Sequence, residues 1–511
     1  MTSRQERIVV VGAGMVGHRF VDELVRADRT GRYAVELVGA EEYEPYNRIL
    51  LSDVLAGRSD LKALSLPLPG TDRVAFWRGL SATAIDREAG EVLLADGSRR
   101  TFDRLVLATG ARAFVPPIAG LESDPRHVHV LRTLDDCRNV AARAMNAKHA
   151  VVLGGGILGL ETACGLRRRG VPVTVVDLDG HLMATQLDQG PARAMAGRLR
   201  DLGIDVRTRT SVTEVISAYG EVVAVRLTDD TVLAADLVLV SCGVRANTDL
   251  AAQAGLVVER GVVVDESLTT DDPRIHAIGD CAQSPDGMTG LLAPGWAQAD
   301  RLVGELTSVP GSPVRRESAV PLASPTVKLK AAGVDLVTMG VRASAALDDD
   351  RVLTVSDPGG RRHVDLVLRE GALVGVTCTG APEVSAALTL AYDRQTPLPV
   401  DPLLLLVPEA RAEEPTSPVL MPGATTVCRC SNVTKKDIVT AWEGGARTAD
   451  AVAASTRAST GCGGCKDVVC GLVDWLNASD PNTEEQGVAE APSVRRSTPV
   501  TPRNTPVEST T

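Results

Sequence analysis

Two glycine turns, each set between an apolar strand and a helix, constrain this chain more than any other feature. The first lies in RIVVVGAGMVGHRFVDELV, residues 7–25, where Ile8 to Val11 read as a buried strand and Gly12, Gly14 and Gly17 give G-x-G-x-x-G. The first two glycines permit a tight turn and close backbone approach to a pyrophosphate; the third lets helix and strand pack, and the helix N-terminus faces the phosphates. A second strand, AVELVGAE, ends at Glu41, whose carboxylate can accept hydrogen bonds from a ribose diol. One such turn can serve packing alone. The same grammar returns in AVVLGGGILGLETACGLRRRGVPVTVVDLD, with Gly154, Gly156 and Gly159 at the turn and Asp177 at the end of the next strand. Two independent units predict an α/β chain with two Rossmann-like dinucleotide-binding domains. An acidic residue at the second strand end suits a free 2′-hydroxyl and repels a 2′-phosphate, which favours NADH over NADPH. His181 and Arg167 to Arg169 are expected to sit on the wrong part of the unit to reverse that preference.

Composition narrows the class. A chain of 511 residues, 44% hydrophobic, can bury several cores. Its net charge of −11 and pI near 5.3 argue against nucleic acid as a partner. No apolar run reaches the roughly 20 residues of a membrane span, and the opening MTSRQERIVVVGAG carries no apolar export segment. The expectation is a cytoplasmic protein whose ten cysteines are reduced thiols.

Four of those thiols cluster far from the start. Cys428 and Cys430 stand in VCRCSN, and Cys462 and Cys465 in ASTGCGGCKDVVC. Between the pairs, Thr434 with Asp437 forms a capping-box pattern, and TADAVAASTRA supplies a second helix. A segment of about fifty residues buries little, so a metal centre would fix its fold. Structural zinc, a cubane and a two-iron cluster all accept four thiolates. The C-x-C pair is tighter than zinc sites usually show, and the glycines free N–H groups for bridging sulfides. Cys470 reads as a helix-buried residue, and Cys164, Cys242 and Cys281 as buried small apolar residues.

Further motifs carry a resemblance. RLVLATGAR, with Thr109 and Gly110, and IHAIGDCAQ, with Gly279 and Asp280, resemble the remaining signatures of the two-dinucleotide-domain flavoprotein reductases. The resemblance implies that the first unit binds FAD through Gly12, Gly14, Gly17, Glu41, Arg48, Thr109, Gly110, Gly279 and Asp280. It assigns NADH to Gly154, Gly156, Gly159 and Asp177, and sets Glu161 beside the nicotinamide. Disulfide reductases of this superfamily carry a cysteine pair that this chain lacks. Members with a single redox cysteine place it in the segment matching YNRILLSDVL, where Ser52 and Asp53 stand here. Electrons therefore leave by another route. CRCSNVTKKDI…TGCGGCK is similar to the bacterioferritin-associated-ferredoxin-like domain, which implies a [2Fe-2S] cluster on Cys428, Cys430, Cys462 and Cys465.

The expected organisation is an FAD-binding part at 1–118, an NAD-binding domain at 119–244 and a second FAD-binding part at 245–312. A small α+β reductase domain at 313–400, a linker at 401–424, a small helical [2Fe-2S] domain at 425–475 and a disordered tail at 476–511 follow. EPYNRILLS, HLMATQLD and VKLKAAGVD, with the cysteine domain, resemble NADH-dependent nitrite reductase large subunits and assimilatory nitrate reductase electron-transfer subunits. That implies electron delivery from NADH through FAD and the cluster to a separate molybdenum nitrate reductase, or to nitrite reductase, with a homodimer possible through the small domain. A ferredoxin- or rubredoxin-reductase-like enzyme and a non-catalytic iron- or redox-responsive protein are the alternatives.

Overall fold

The computed structural model describes residues 4–285, 287–288, 290–308, 326–331, 333–394, 401–406, 418–419, 421–428, 431–461 and 463–480. Cys430, Cys462, half of the expected linker and the tail beyond 480 lie outside the described residues.

The strand Glu6–Val11 is the axis of the first sheet. It is flanked in parallel by Tyr33–Gly39 and Arg104–Leu107, with Val74–Arg78 and Ile275–Ala277 at the two outer positions. Its residues Ile8, Val9 and Val10 are fully buried, as a parallel strand covered on both faces requires. The helices Met15–Ala27 and Leu292–Thr307 supply apolar residues to this core, and so does a small antiparallel sheet through Ile85, Val92 and Leu94. The outer strand Ile275–Ala277 arrives after the chain has left and built a second sheet. That second sheet is also parallel, in the order Ile204–Thr208, Val173–Asp177, Ala150–Leu153, Leu237–Val240 and Val128–His129. An antiparallel ribbon, Ala111–Ala113 against Val244–Ala246, joins the outgoing and returning chains.

A third, antiparallel sheet follows. Its order is Val327–Lys328, Leu336–Gly340, Ala372–Thr379, Arg362–Arg369 and Arg351–Asp357, with the helix Pro382–Arg394 on one face. The sequence anticipates both the strands and this helix.

The cysteine-bearing C-terminal segment forms a second compact unit with its own core around Ile438, Val452, Val469 and Leu472. It contains the short strands Thr426–Cys428 and Val433–Thr434 and the helices Lys435–Glu443, Ala449–Thr456 and Lys466–Ala478. The expected capping box is present: Thr434 caps the helix and the Asp437 carboxylate accepts the Thr434 N–H at 2.8 Å. Lys435 is buried, its ammonium donating to the carbonyls of Pro418 and Met421 at 2.6 and 2.7 Å.

Two cysteine expectations need correcting. Cys164 and Cys281 are buried, but Cys242 and Cys470 are only partly so. Cys242 lies in the turn beyond the end of a strand rather than inside the sheet, and Cys470 sits on the margin of its helix's buried stripe.

Candidate coenzyme and cluster sites

The two glycine turns are built alike. Gly12 has φ +116°, and a Cβ there would lie 2.1 Å from the Ala108 carbonyl oxygen. A Cβ on Gly17 would lie 2.0 Å from the Gly12 oxygen, whereas one on Gly14 would meet nothing within 4 Å. In the second unit Gly154 has φ +105° and its Cβ would lie 2.3 Å from the Ser241 oxygen. Gly159 would strike the Gly154 oxygen at 2.1 Å, and Gly156 again faces open space. In each turn, then, the outer glycines are required by the fold and the middle one leaves a bare backbone at the start of a helix. That is the cradle a pyrophosphate fits.

Around the first cradle Glu41, Arg48 and Asp280 are joined through Arg132 in one hydrogen-bonded chain. Glu41 accepts from the Tyr46 hydroxyl and from the Arg48 guanidinium, both at 2.6 Å. Arg48 also donates to the Arg132 carbonyl at 2.8 Å, and Arg132 in turn pairs with Asp280 at 2.8 Å. Thr109 donates to the Asn247 carbonyl at 2.9 Å and receives the Asn247 amide at 2.8 Å, while Gly110 accepts the Asn247 N–H. Gly279, at φ +78°, packs on Val16 of the first helix and donates its N–H to Gln298 at 2.8 Å. Gly279 and Asp280 line a cleft of about 750 Å³ together with Arg112, Phe114, Arg245 and Gln298. Arg132, Asn247 and Gln298 are additions that no local motif announces, and Tyr46 lies in the EPYNRILLS segment, which gives it no role.

In the second unit Asp177 is buried and tied to the glycine loop. One carboxylate oxygen accepts the Gly155 N–H, and the other accepts the Asp179 N–H at 2.8 Å. Burial pushes its carboxyl up, and those two N–H groups act against it. His181 follows Asp177 by four residues, and its Nδ1 lies 3.2 Å from the Leu182 carbonyl oxygen. Arg167 points to the Leu202 carbonyl, away from the turn.

Glu161, on the helix Ile157–Arg168, is only 6% exposed. Its two oxygens accept the Ser52 hydroxyl at 2.6 Å and the Lys330 N–H at 3.0 Å. Lys330 extends its ammonium to the Ile49 carbonyl at 3.1 Å. The sequence marks Ser52 only as the residue standing where a redox cysteine would lie, and gives Lys330 no role. One turn further along the helix, burial pushes the Cys164 thiol up to about 12, so it is inert near neutrality.

In the cysteine unit, Cys428 and Cys465 are both buried and adjacent. The Cys465 thiol donates toward Cys428 and, against the opposing effect of burial, draws the Cys428 thiol down to about 6; the N–H groups of Ser459 and Ser431 help. Ser459 also donates its N–H to the Cys465 sulfur at 3.2 Å. Adjacent thiols with backbone donors aimed at sulfur are a donor set suited to a cluster held by thiolates.

Two dinucleotide cradles served by one split sheet and one inserted sheet define a flavin- and nicotinamide-dependent reductase. The chain belongs to the pyridine nucleotide-disulphide oxidoreductase family, whose model matches residues 6–299, and a BFD-like [2Fe-2S] binding domain matches 426–474. It is thus an NAD(P)H-dependent oxidoreductase taking FAD, with a [2Fe-2S] domain at its C-terminal side. Among curated relatives, the nitrite reductase [NAD(P)H] large subunit of Klebsiella oxytoca is 34% identical over 94% of this chain and 49% of its own. The assimilatory nitrate reductase electron transfer subunit of Bacillus subtilis is 29% identical over 93% of this chain and 60% of its own. This chain therefore spans about half to three-fifths of those proteins. A ferredoxin reductase from Rhodopseudomonas palustris superposes with a TM-score of 0.65 at 28% identity, over 74% of this chain and 91% of that one.

Proposed function

We propose that this chain is the electron-transfer component of nitrate assimilation, a cytoplasmic NADH dehydrogenase that supplies a molybdenum nitrate reductase. Bound FAD accepts a hydride as an electron pair and releases electrons singly, and a [2Fe-2S] cluster carries one at a time, so the two together convert one currency into the other. The observation that carries the reading is the pairing, in one polypeptide, of two dinucleotide cradles with a thiol-rich unit, while the thiols of the reductase half are isolated.

The residues divide the work. Gly12, Gly14 and Gly17 with Glu41, Arg48, Thr109, Gly110, Gly279 and Asp280 hold FAD; Gly154, Gly156, Gly159 and Asp177 hold the nicotinamide coenzyme. Glu161 orders the floor between them through Ser52 and Lys330. Cys428, Cys430, Cys462 and Cys465 hold the cluster. The domain division we propose is 1–118 with 245–312 for FAD, 119–244 for NAD, 313–400 for the small domain and 425–475 for the cluster. The return of Ile275–Ala277 to the first sheet supports the split. The small domain also makes the chain a homodimer.

The test is direct. Protein loaded with FAD and cluster, mixed with NADH, nitrate and a molybdenum nitrate reductase, should form nitrite in proportion to NADH consumed. Its likeness to the Klebsiella nitrite reductase subunit favours one other acceptor, a nitrite reductase; turnover with that enzyme alone would redirect the assignment.

A further inference from the structure

The strand Arg351–Asp357 closes the third sheet, and six of its seven residues are exposed. It pairs with Arg362–Arg369 through seven uninterrupted residue pairs, without a bulge. No strand of the described residues bonds to its outer edge. Exposed sheet edges are normally blunted by proline, lysine, a bulge or very short length, because unpaired N–H and C=O groups template another strand. RVLTVSD has no proline, lysine or bulge and bears charge only at its two ends, Arg351 and Asp357, and it leaves Val352 at 39% and Val355 at 48% exposed.

We infer that this edge pairs with its own copy in a second molecule, antiparallel about a two-fold axis at Thr354. That is the one antiparallel register that pairs all seven residues, and in it the sequence is self-complementary. Arg351 stands opposite Asp357 of the second copy, Val352 opposite Ser356, Leu353 opposite Val355, and Thr354 opposite Thr354. Opposite charges and Thr–Thr pairs directly across an antiparallel ladder are favourable, and a two-fold contact repeats each of them. Arg351 has no ion-pair partner among the described residues, and it is the cation left over at this edge. Asp357 accepts the Gly360 N–H through one oxygen at 3.0 Å, so lone pairs remain for a guanidinium. Thr354 and Ser356 donate to or bond with Asp365 and His363 on the neighbouring strand, which fixes the edge strand's own side chains before any second copy arrives. The inference deepens the homodimer reading and is independent of the electron acceptor.

The test uses the full chain loaded with FAD and cluster. Sedimentation should show a dimer. Arg351→Asp, which sets like charges against Asp357 twice, should raise the dimer dissociation constant at least about tenfold. Arg351→Asp combined with Asp357→Arg should restore it, with NADH–dye activity the same in all three forms. Thr354→Cys at the axis should cross-link two chains under mild oxidation, whereas Val352→Cys, displaced from the axis, should not. A monomeric parent protein overturns both this inference and the homodimer reading. A dimer indifferent to Arg351→Asp, with no cross-link from Thr354→Cys, overturns the edge alone and moves the contact to another surface.

Discussion

At the scale of single residues, Asp177 shows what a spacing rule conveys and what it omits. Its place at the strand end is legible in the sequence, but its commitment to the Gly155 and Asp179 N–H groups is not, because those bonds depend on how the glycine loop closes. The carboxylate orders the loop, and on the proposed reading it is also the group that would meet the coenzyme's ribose. Arg209 stands nearby: its N–H bonds the Asp179 carbonyl, and its guanidinium lies 3.6 Å from where a Gly180 Cβ would be. Asp177→Ala should therefore raise KM for NADH about tenfold, the equivalent of about 1.4 kcal/mol, with a smaller change for NADPH. Steady-state kinetics with both coenzymes would show this; an unaltered preference would move selectivity to Asp179 and Arg209. Gly17→Ala is a harsher change. Its methyl would meet a backbone oxygen at 2.0 Å, so FAD retention after gel filtration should be lost, while Gly14→Ala, facing open space, should fold and bind FAD weakly.

At the scale of elements, periodicity made the parallel strands and their helices legible, since continuous apolar runs next to glycine turns leave few alternatives. What it could not foresee is which distant segment completes a sheet. Ile275–Ala277 joins the first sheet from far along the chain, and it carries His276 into the interior. Burial depresses that imidazole to about 4, with Arg104 adding to the effect, and its Nδ1 meets Thr269 at 3.2 Å. The folded protein thus holds His276 neutral while the unfolded chain protonates it near the ordinary value of 6.5. The sign follows: this contribution is whole above about pH 6.5 and is lost as pH falls toward 4, up to about 3 kcal/mol. Thermal unfolding followed by flavin fluorescence should show Tm falling across that window, and His276→Asn should flatten the fall. The hydrogen-bonded chain from Glu41 through Arg48 and Arg132 to Asp280 was half legible. The motif residues are visible in the sequence, whereas Arg132 belongs to no pattern and is recruited by the fold.

At the scale of the molecule, two compact units hold chemically different sites, and the separation has a measurable meaning. Cys428→Ser should abolish the visible absorbance of the cluster and electron delivery to a protein acceptor. NADH–dye activity should stay within about twofold, because the dinucleotide cradles share no residue with the thiol unit. Parallel loss of both activities would contradict that division.

Glu161 belongs to the helix of the coenzyme unit, yet the hydroxyl it binds comes from Ser52 and the amide from Lys330, in two other parts of the reductase half. Opening any one of the three lobes strips a buried carboxylate of a donor, a penalty that none can escape by yielding alone. A calorimeter should therefore record the reductase half as one heat-absorption peak rather than three, and Glu161→Ala should split that peak.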